Sequence, residues 1–302
     1  MIRASTMCSR ISSCGRLWNL PNWGVENAPD VHWDDGYSLL IWLALDGYRS
    51  GLKRLPPEAS HMTWSIIARD SASGSMGIAC ASRALAVGSI VPHGAGRVGA
   101  IATQAFANPF YGIDGLNLLR EGCSVAETIA NLTEMDAGRD YRQLHIIDRN
   151  GETGCFTGSA CLAWSGSVSG ADASVAGNML AGPEVVEATL AAYQEASALD
   201  FDERLLAALD AGERAGGDKR GRQSCAIRIW SEGPIASFDL RVDDHAEPLR
   251  ELRRLWRLAH QGYAPFQAFL PSRRNPAGMT DREIAYRACE EYAARWNARH
   301  PV

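Results

Sequence analysis

From Thr63 onward the chain alternates between short apolar runs bounded by Gly, Asn, Asp or Ser and longer stretches with a helical apolar repeat. The short runs predict β-strands over Thr63–Asp70, Met76–Ser82, Val98–Ala105, Gln143–Asp148 and Thr153–Thr157, because turn residues at both ends suit pleated, partly buried segments. Further strands are predicted over Ser174–Leu180, Ser224–Trp230 and Ala236–Val242. Two helices fall between the third and fourth strands. One covers Ile113–Glu121, and the next opens with the capping box Ser124-x-x-Glu127. Pro183 stands where a first helical residue would, ahead of Glu184–Ala196. Phe201–Ala215 is amphipathic and stops at Gly216-Gly217. The end is helical over Pro248–His260 and Asp281–Arg299, the latter with Thr280-x-x-Glu283 as its cap. Strands come in groups and helices in pairs, without strict βαβ alternation. That grouping predicts an α+β layered fold with antiparallel sheets.

Residues 1–62 show no such period, although they hold four of the nine tryptophans. A propeptide, a small extra domain and a start codon placed too far upstream are three readings of this segment. The last is the expectation, because Met62 stands where the patterned sequence begins. Removing residues 1–62 leaves a working chain of 240 residues. Either length can bury a substantial core. With 46% hydrophobic and 22% charged residues, collagen-like, disordered and disulfide-mini-protein classes are excluded. A net charge of −5 argues against nucleic-acid binding. The longest apolar run, Leu39 to Leu45, is too short to span a bilayer or to serve as a signal core. The eight cysteines include no C-x-x-C pair and none at zinc spacing with a histidine. They read as buried thiols of a reduced, cytoplasmic protein with no metal and no cofactor.

Two motifs yield to simpler explanations. Gly94-x-Gly96-x-x-Gly99 is followed by a β-like run where a dinucleotide site needs a helix, so it reads as a turn. Asp243-Asp244-His245 reads as a polar link into the helix at Pro248. Neither H-E-x-x-H nor G-x-S-x-G occurs. The loop Gly216–Ser224 carries more chemistry: Asp218, Lys219, Arg220, Arg222 and Gln223 stand among glycines. Of 30 cationic residues only Lys53 and Lys219 are lysines, so Lys219 is alone after Thr63. Lys shifts its pKa readily and Arg grips carboxylates in a fork, a pairing suited to an anionic substrate. An exposed basic loop is the plain alternative. Thr63 is the sharpest candidate. Behind a removed Met62 it would carry a free α-amine of pKa about 8, able to accept its own hydroxyl proton. A threonine that merely opens a strand is the plain alternative here.

The blocks Thr63–Asp70, Ala81–Gly88, Ala102–Pro109, Asp140–Gln143, Phe156–Gly158, Gly177–Pro183, Gly216–Ser224 and Leu240–His245 resemble the DUF1028 family of the N-terminal-nucleophile (Ntn) hydrolase-like superfamily. The likeness runs from Thr63 to about Trp256 and implies a four-layer αββα sandwich of two antiparallel sheets between helices. Residues 257–302 would be a helical extension packed on that domain. The resemblance also implies Thr63 as nucleophile and amidohydrolase chemistry on a small or peptide-like amide. Lys219 or Arg83 would lower the amine pKa, and Gln104, Asn108 and Asn178 would hold the oxyanion. Asp218, Arg220, Arg222 and Gln223 complete the expected substrate-binding set, and pairing into a homodimer is expected. Two other functions compete: a non-catalytic ligand-binding protein, and a module that engages an acidic partner through Arg220 and Arg222.

Overall fold

The computed structural model describes residues 63–301, so the readings of residues 1–62 lie outside the described residues. In chain order the strands are β1 (Thr63–Arg69), β2 (Met76–Ser82), β3 (Pro92–Ala95), β4 (Gly99–Ala105), β5 (Arg142–Asp148), β6 (Thr153–Thr157), β7 (Gly166–Gly170), β8 (Ala173–Asn178), β9 (Ser224–Trp230) and β10 (Phe238–Val242). The helices are α1 (Pro109–Glu121), α2 (Val125–Glu134), α3 (Glu184–Glu195), α4 (Phe201–Arg214), α5 (Pro248–Ala259), α6 (Tyr263–Phe266) and α7 (Arg282–Arg299). Six strands pair in the order β10-β9-β2-β1-β8-β7 and four in the order β3-β4-β5-β6. Every pairing is antiparallel.

The strand period of two sorts side chains into separate cores. From β1, Trp64, Ile66 and Ala68 pack with Val186 of α3, Leu205 and Leu209 of α4, and Leu252 and Trp256 of α5. Ile67 turns the other way, to Met76 and Ile78 of its own sheet and Ala100, Ala102 and Ile147 of the smaller one. On the smaller sheet, Ile101, Leu144 and Ile146 pack with Tyr111 and Leu119 of α1 and Val125 and Leu132 of α2. Each fully buried aliphatic side chain contributes about 1.5–3 kcal/mol, so these cores hold both sheets in fixed registers.

The chain differs from the sequence reading mainly at element ends. β3 and β7 were not expected, and both are edge strands. The turn at Gly94–Gly99 is a hairpin in which Gly94 already belongs to β3 and Gly99 to β4. α1 starts four residues before Ile113, because the Asn108 side chain accepts the Phe110 N–H and Pro109 follows as the first helical residue. The expected Ser124–Glu127 capping box is present. Pro183 is the N-cap of α3 rather than its first residue. α7 is capped by Asp281, whose carboxylate accepts the Ile284 N–H, and not by Thr280. After α5, His260 hydrogen-bonds Asp202 at 2.8 Å and the Tyr292 hydroxyl at 2.7 Å, and it stacks on Trp296. These contacts pin α7 against α4 and α5. Among the described residues no helix is long and apolar enough to cross a membrane.

Candidate functional site

β1 lies inside the larger sheet, and its first residue is Thr63. Thr63 pairs with Asn178, the last residue of β8. Trp64 faces Ala81, so Ser82 at the end of β2 comes alongside Thr63, and Ser82 in turn faces Ser224 of β9. One end of the sheet therefore gathers Thr63, Asn178 and the loops 83–86, 179–183 and 216–223. Three of the five described non-glycine residues with left-handed φ lie near this end: Ala86 in the loop after β2 (55°), Ala105 closing β4 of the smaller sheet (63°) and Met179 just after β8 (53°), while Arg97 and Asp172 take the same conformation in turns elsewhere. Such geometry costs of the order of 1–3 kcal/mol per residue and is characteristic of functional sites.

Trp64 anchors the start of β1. It is fully buried beneath α4, where a Cβ on Gly212 would come within 2.7 Å of the indole nitrogen. Beyond α4, Gly216 and Gly217 take positive φ and turn the chain back toward Thr63. Asp218, 4% exposed, is the hub of the loop. It bridges to Leu180, and its carboxylate accepts the Arg83 N–H at 2.9 Å, the Arg220 N–H at 2.8 Å and the Arg220 guanidinium at 3.1 Å. Charge-assisted bonds of this kind are the strong ones. Lys219 is exposed, and its ammonium donates to the Ala163 carbonyl at 3.1 Å. The Arg83 guanidinium donates to Gln223 at 3.4 Å, and Gln223 donates to Asp244 at 3.0 Å. Arg222 leans away, paired with Glu213 at 2.7 Å.

Beneath Thr63 the two sheets are joined by buried polar side chains. Ser65 donates to Gln104 Oε1 at 2.6 Å and meets His145 Nε2 at 2.8 Å, while His145 Nδ1 meets Ser174 at 3.2 Å. Gln104 Nε2 donates to Gln143 Oε1 at 2.8 Å and, at 3.5 Å, to the carbonyl of Thr63 itself. Asn178 Nδ2 donates to the same Gln143 oxygen at 3.1 Å. Gln143 Nε2 donates to Thr157 Oγ1 and to the carbonyls of Gly166 and Gly177. Complete burial of His145 pushes its pKa down to about 3, so the ring is neutral.

The structure thus brings Thr63, Gln104 and Asn178 into one network, and it holds Arg83, Asp218, Lys219, Arg220 and Gln223 in the loops at the same sheet end. Asn108 serves elsewhere: it caps α1, and its amide donates to Asp136, which also binds Tyr111 and Arg142. Thr63 is 2% exposed, and in the full chain its nitrogen is a peptide nitrogen. Two clefts of about 710 and 690 Å³ open elsewhere, one beside α4 and α5 and the other between α1 and Trp230, and Thr63 lines neither. Burial pushes the Cys80 thiol up to about 12 and raises Cys225 as well, which leaves both thiols inert. Among the described residues no three His, Cys, Asp or Glu side chains gather as a metal-binding group.

The sequence profile of a family of unknown function, DUF1028, matches residues 63–252. The chain belongs to the DUF1028 family. A solved DUF1028 structure, protein SPO2555 from Silicibacter pomeroyi, is 34% identical to it. The similarity covers 73% of this chain and all of that one, with a TM-score of 0.66. No curated protein matches the sequence. The DUF1028 match opens on Thr63, the residue that begins β1. Sequence reasoning missed Ser65, Gln143, His145 and Ser174. The signal was there in Gln143-x-His145, two polar residues on one face of a strand, but that pattern reads equally as a solvent-facing edge.

Proposed function

We propose that this DUF1028 chain is an N-terminal-nucleophile amidohydrolase built on a four-layer αββα sandwich, acting on a small or peptide-like amide with an anionic group. One observation carries the reading. Thr63 opens an interior strand at the sheet end where cationic and amide-bearing loops converge, and the Gln104 amide of the buried network reaches its carbonyl at 3.5 Å. The order of the cores, helices against the larger sheet, sheet against sheet, and helices against the smaller sheet, supports the layered assignment.

In this mechanism the chain begins at Thr63. The α-amine takes the hydroxyl proton as Oγ attacks the substrate carbonyl carbon. The second N–H of Asn178 is a donor for the resulting oxyanion. The intermediate collapses as the C–N bond breaks and the α-ammonium returns its proton to the leaving amine. Water then hydrolyses the ester on Thr63, releasing the acid and regenerating the hydroxyl. Lys219 or Arg83 lowers the amine pKa by like-charge repulsion, and Arg220, in the loop at the same sheet end, attracts the anionic substrate, while Arg222 is held away by Glu213 and Glu247. With residues 1–62 attached there is no free amine, and the second reading applies: a non-catalytic ligand-binding protein on the same scaffold.

Thr63→Ala assayed against an amide library tests the nucleophile. Loss of all hydrolysis supports the assignment, whereas surviving hydrolysis refutes it.

A further inference from the structure

The buried network beneath Thr63 has a direction, and two backbone carbonyls dictate it. The carbonyls of Gly166 and Gly177 can only accept, so the end of Gln143 that meets them at 3.3 and 2.9 Å must be its NH₂ group. Its oxygen therefore faces Gln104 and Asn178, and both of these must donate. With the NH₂ of Gln104 turned to Gln143 and to the Thr63 carbonyl, its oxygen is left for Ser65. Ser65 has one proton and gives it to Gln104, so from His145 Nε2 at 2.8 Å it can only accept. The neutral ring then carries its proton on Nε2, and bare Nδ1 accepts from Ser174. Reversing the chain of links turns the Gln143 oxygen against the carbonyls of Gly166 and Gly177, and the contact at Gly177 is buried.

We propose that Gln143, Gln104, Ser65 and His145 form a one-way hydrogen-bond relay, set by the Gly166 and Gly177 carbonyls, and act as positioning residues that hold the Thr63 carbonyl. Its bearing on catalysis rests on Thr63 being the nucleophile, but the direction of the relay does not. The Gln104 amide is fully committed inward: one N–H goes to Gln143 and the other to Thr63. This assigns Gln104 to fixing the backbone of the nucleophile, with the oxyanion left to Asn178.

Thr63-Trp64 is the one Thr-Trp pair in the sequence. The full chain labelled with carbonyl ¹³C in threonine and ¹⁵N in tryptophan therefore gives a single carbonyl–amide cross-peak, which reports the hydrogen bond to the Thr63 carbonyl. With ¹⁵N-histidine added, the imidazole of His145 is expected to show its proton on Nε2. His145→Leu should move the Thr63 carbonyl resonance upfield as the Gln104 bond weakens. His145→Gln keeps one donor and one acceptor and should restore it. A proton on Nδ1, an unmoved or downfield peak in His145→Leu, or no rescue by His145→Gln overturns the relay. If His145→Leu does not fold, Ser65→Ala, which removes a single oxygen, carries the same expectation and the same contrary outcome. Failure of the nucleophile reading shows separately, in the hydrolysis retained by Thr63→Ala.

Discussion

On β1, Ile67 and Ser65 point to the same side of the larger sheet, two residues apart, yet they meet opposite surroundings. Ile67 enters an apolar layer with Met76, Ile78, Ala100 and Ile147. Ser65 enters a polar one with Gln104 and His145. The change runs along other strands as well. Ile147 is followed back along β5 by His145 and Gln143, and Ala102 on β4 is followed forward by Gln104. Apolar packing alone would close this space at lower risk, since a half-satisfied buried polar group costs more than an apolar core. The polar half lies under Thr63, which ties the burial of Gln104, Gln143 and His145 to the candidate site rather than to stability.

The largest effect separates the two halves by activity. Thr63→Ala is expected to lower amide hydrolysis by about 10⁴-fold or more while leaving the melting temperature nearly unchanged. A fall in both together would make Thr63 a packing residue.

Acid distinguishes the halves next. Burial lowers the His145 pKa from 6.5 to about 3. Between those values the unfolded chain binds the proton and the folded chain does not, so stability falls as pH drops from 6.5 toward 3. The loss reaches of the order of 5 kcal/mol at the acid end. His93, also lowered by burial, adds to it in the same direction. Denaturant titrations across this range should show a shallower slope in His145→Gln than in the unaltered protein, and equal slopes would contradict the burial of a neutral ring.

Truncation comes third. Ile147→Ala in the apolar half should cost about 2–5 kcal/mol by cavity formation. His145→Leu, which unpairs neighbours without opening a cavity, should cost about 1–3 kcal/mol. Urea midpoints check both, and the reverse order would mean that the polar half is what holds the sheets together. Smallest is Asp218→Asn. It weakens the bonds to Arg83 and Arg220 and should cost about 1–2 kcal/mol, read as faster proteolysis within 216–223 without a change at β1.

How much of this the sequence revealed follows from the same contrast. β2, β8 and β9 were legible because their apolar runs are long and end at turn residues. β3 begins on Pro92 and β7 is Gly166-Ser-Val-Ser-Gly170, short edge strands that give little apolar signal and tolerate Pro and Gly. In β5, Gln143-Leu144-His145-Ile146 has the alternation of a strand with one wet face. In the structure a second sheet covers that face, and pairing between sheets is a long-range fact that no local pattern encodes. Thr63 and the loop around Asp218 could be picked out because residue type and family likeness agreed. The network below could not, since each member is an ordinary polar residue until its partners are known.

The central claim is that Thr63 becomes a nucleophile by becoming the first residue. Intact-mass measurement and N-terminal sequencing of the protein isolated from its native host test it most directly. The account predicts a chain that starts at Thr63 with a free amine. A chain that starts at Met1 would contradict it.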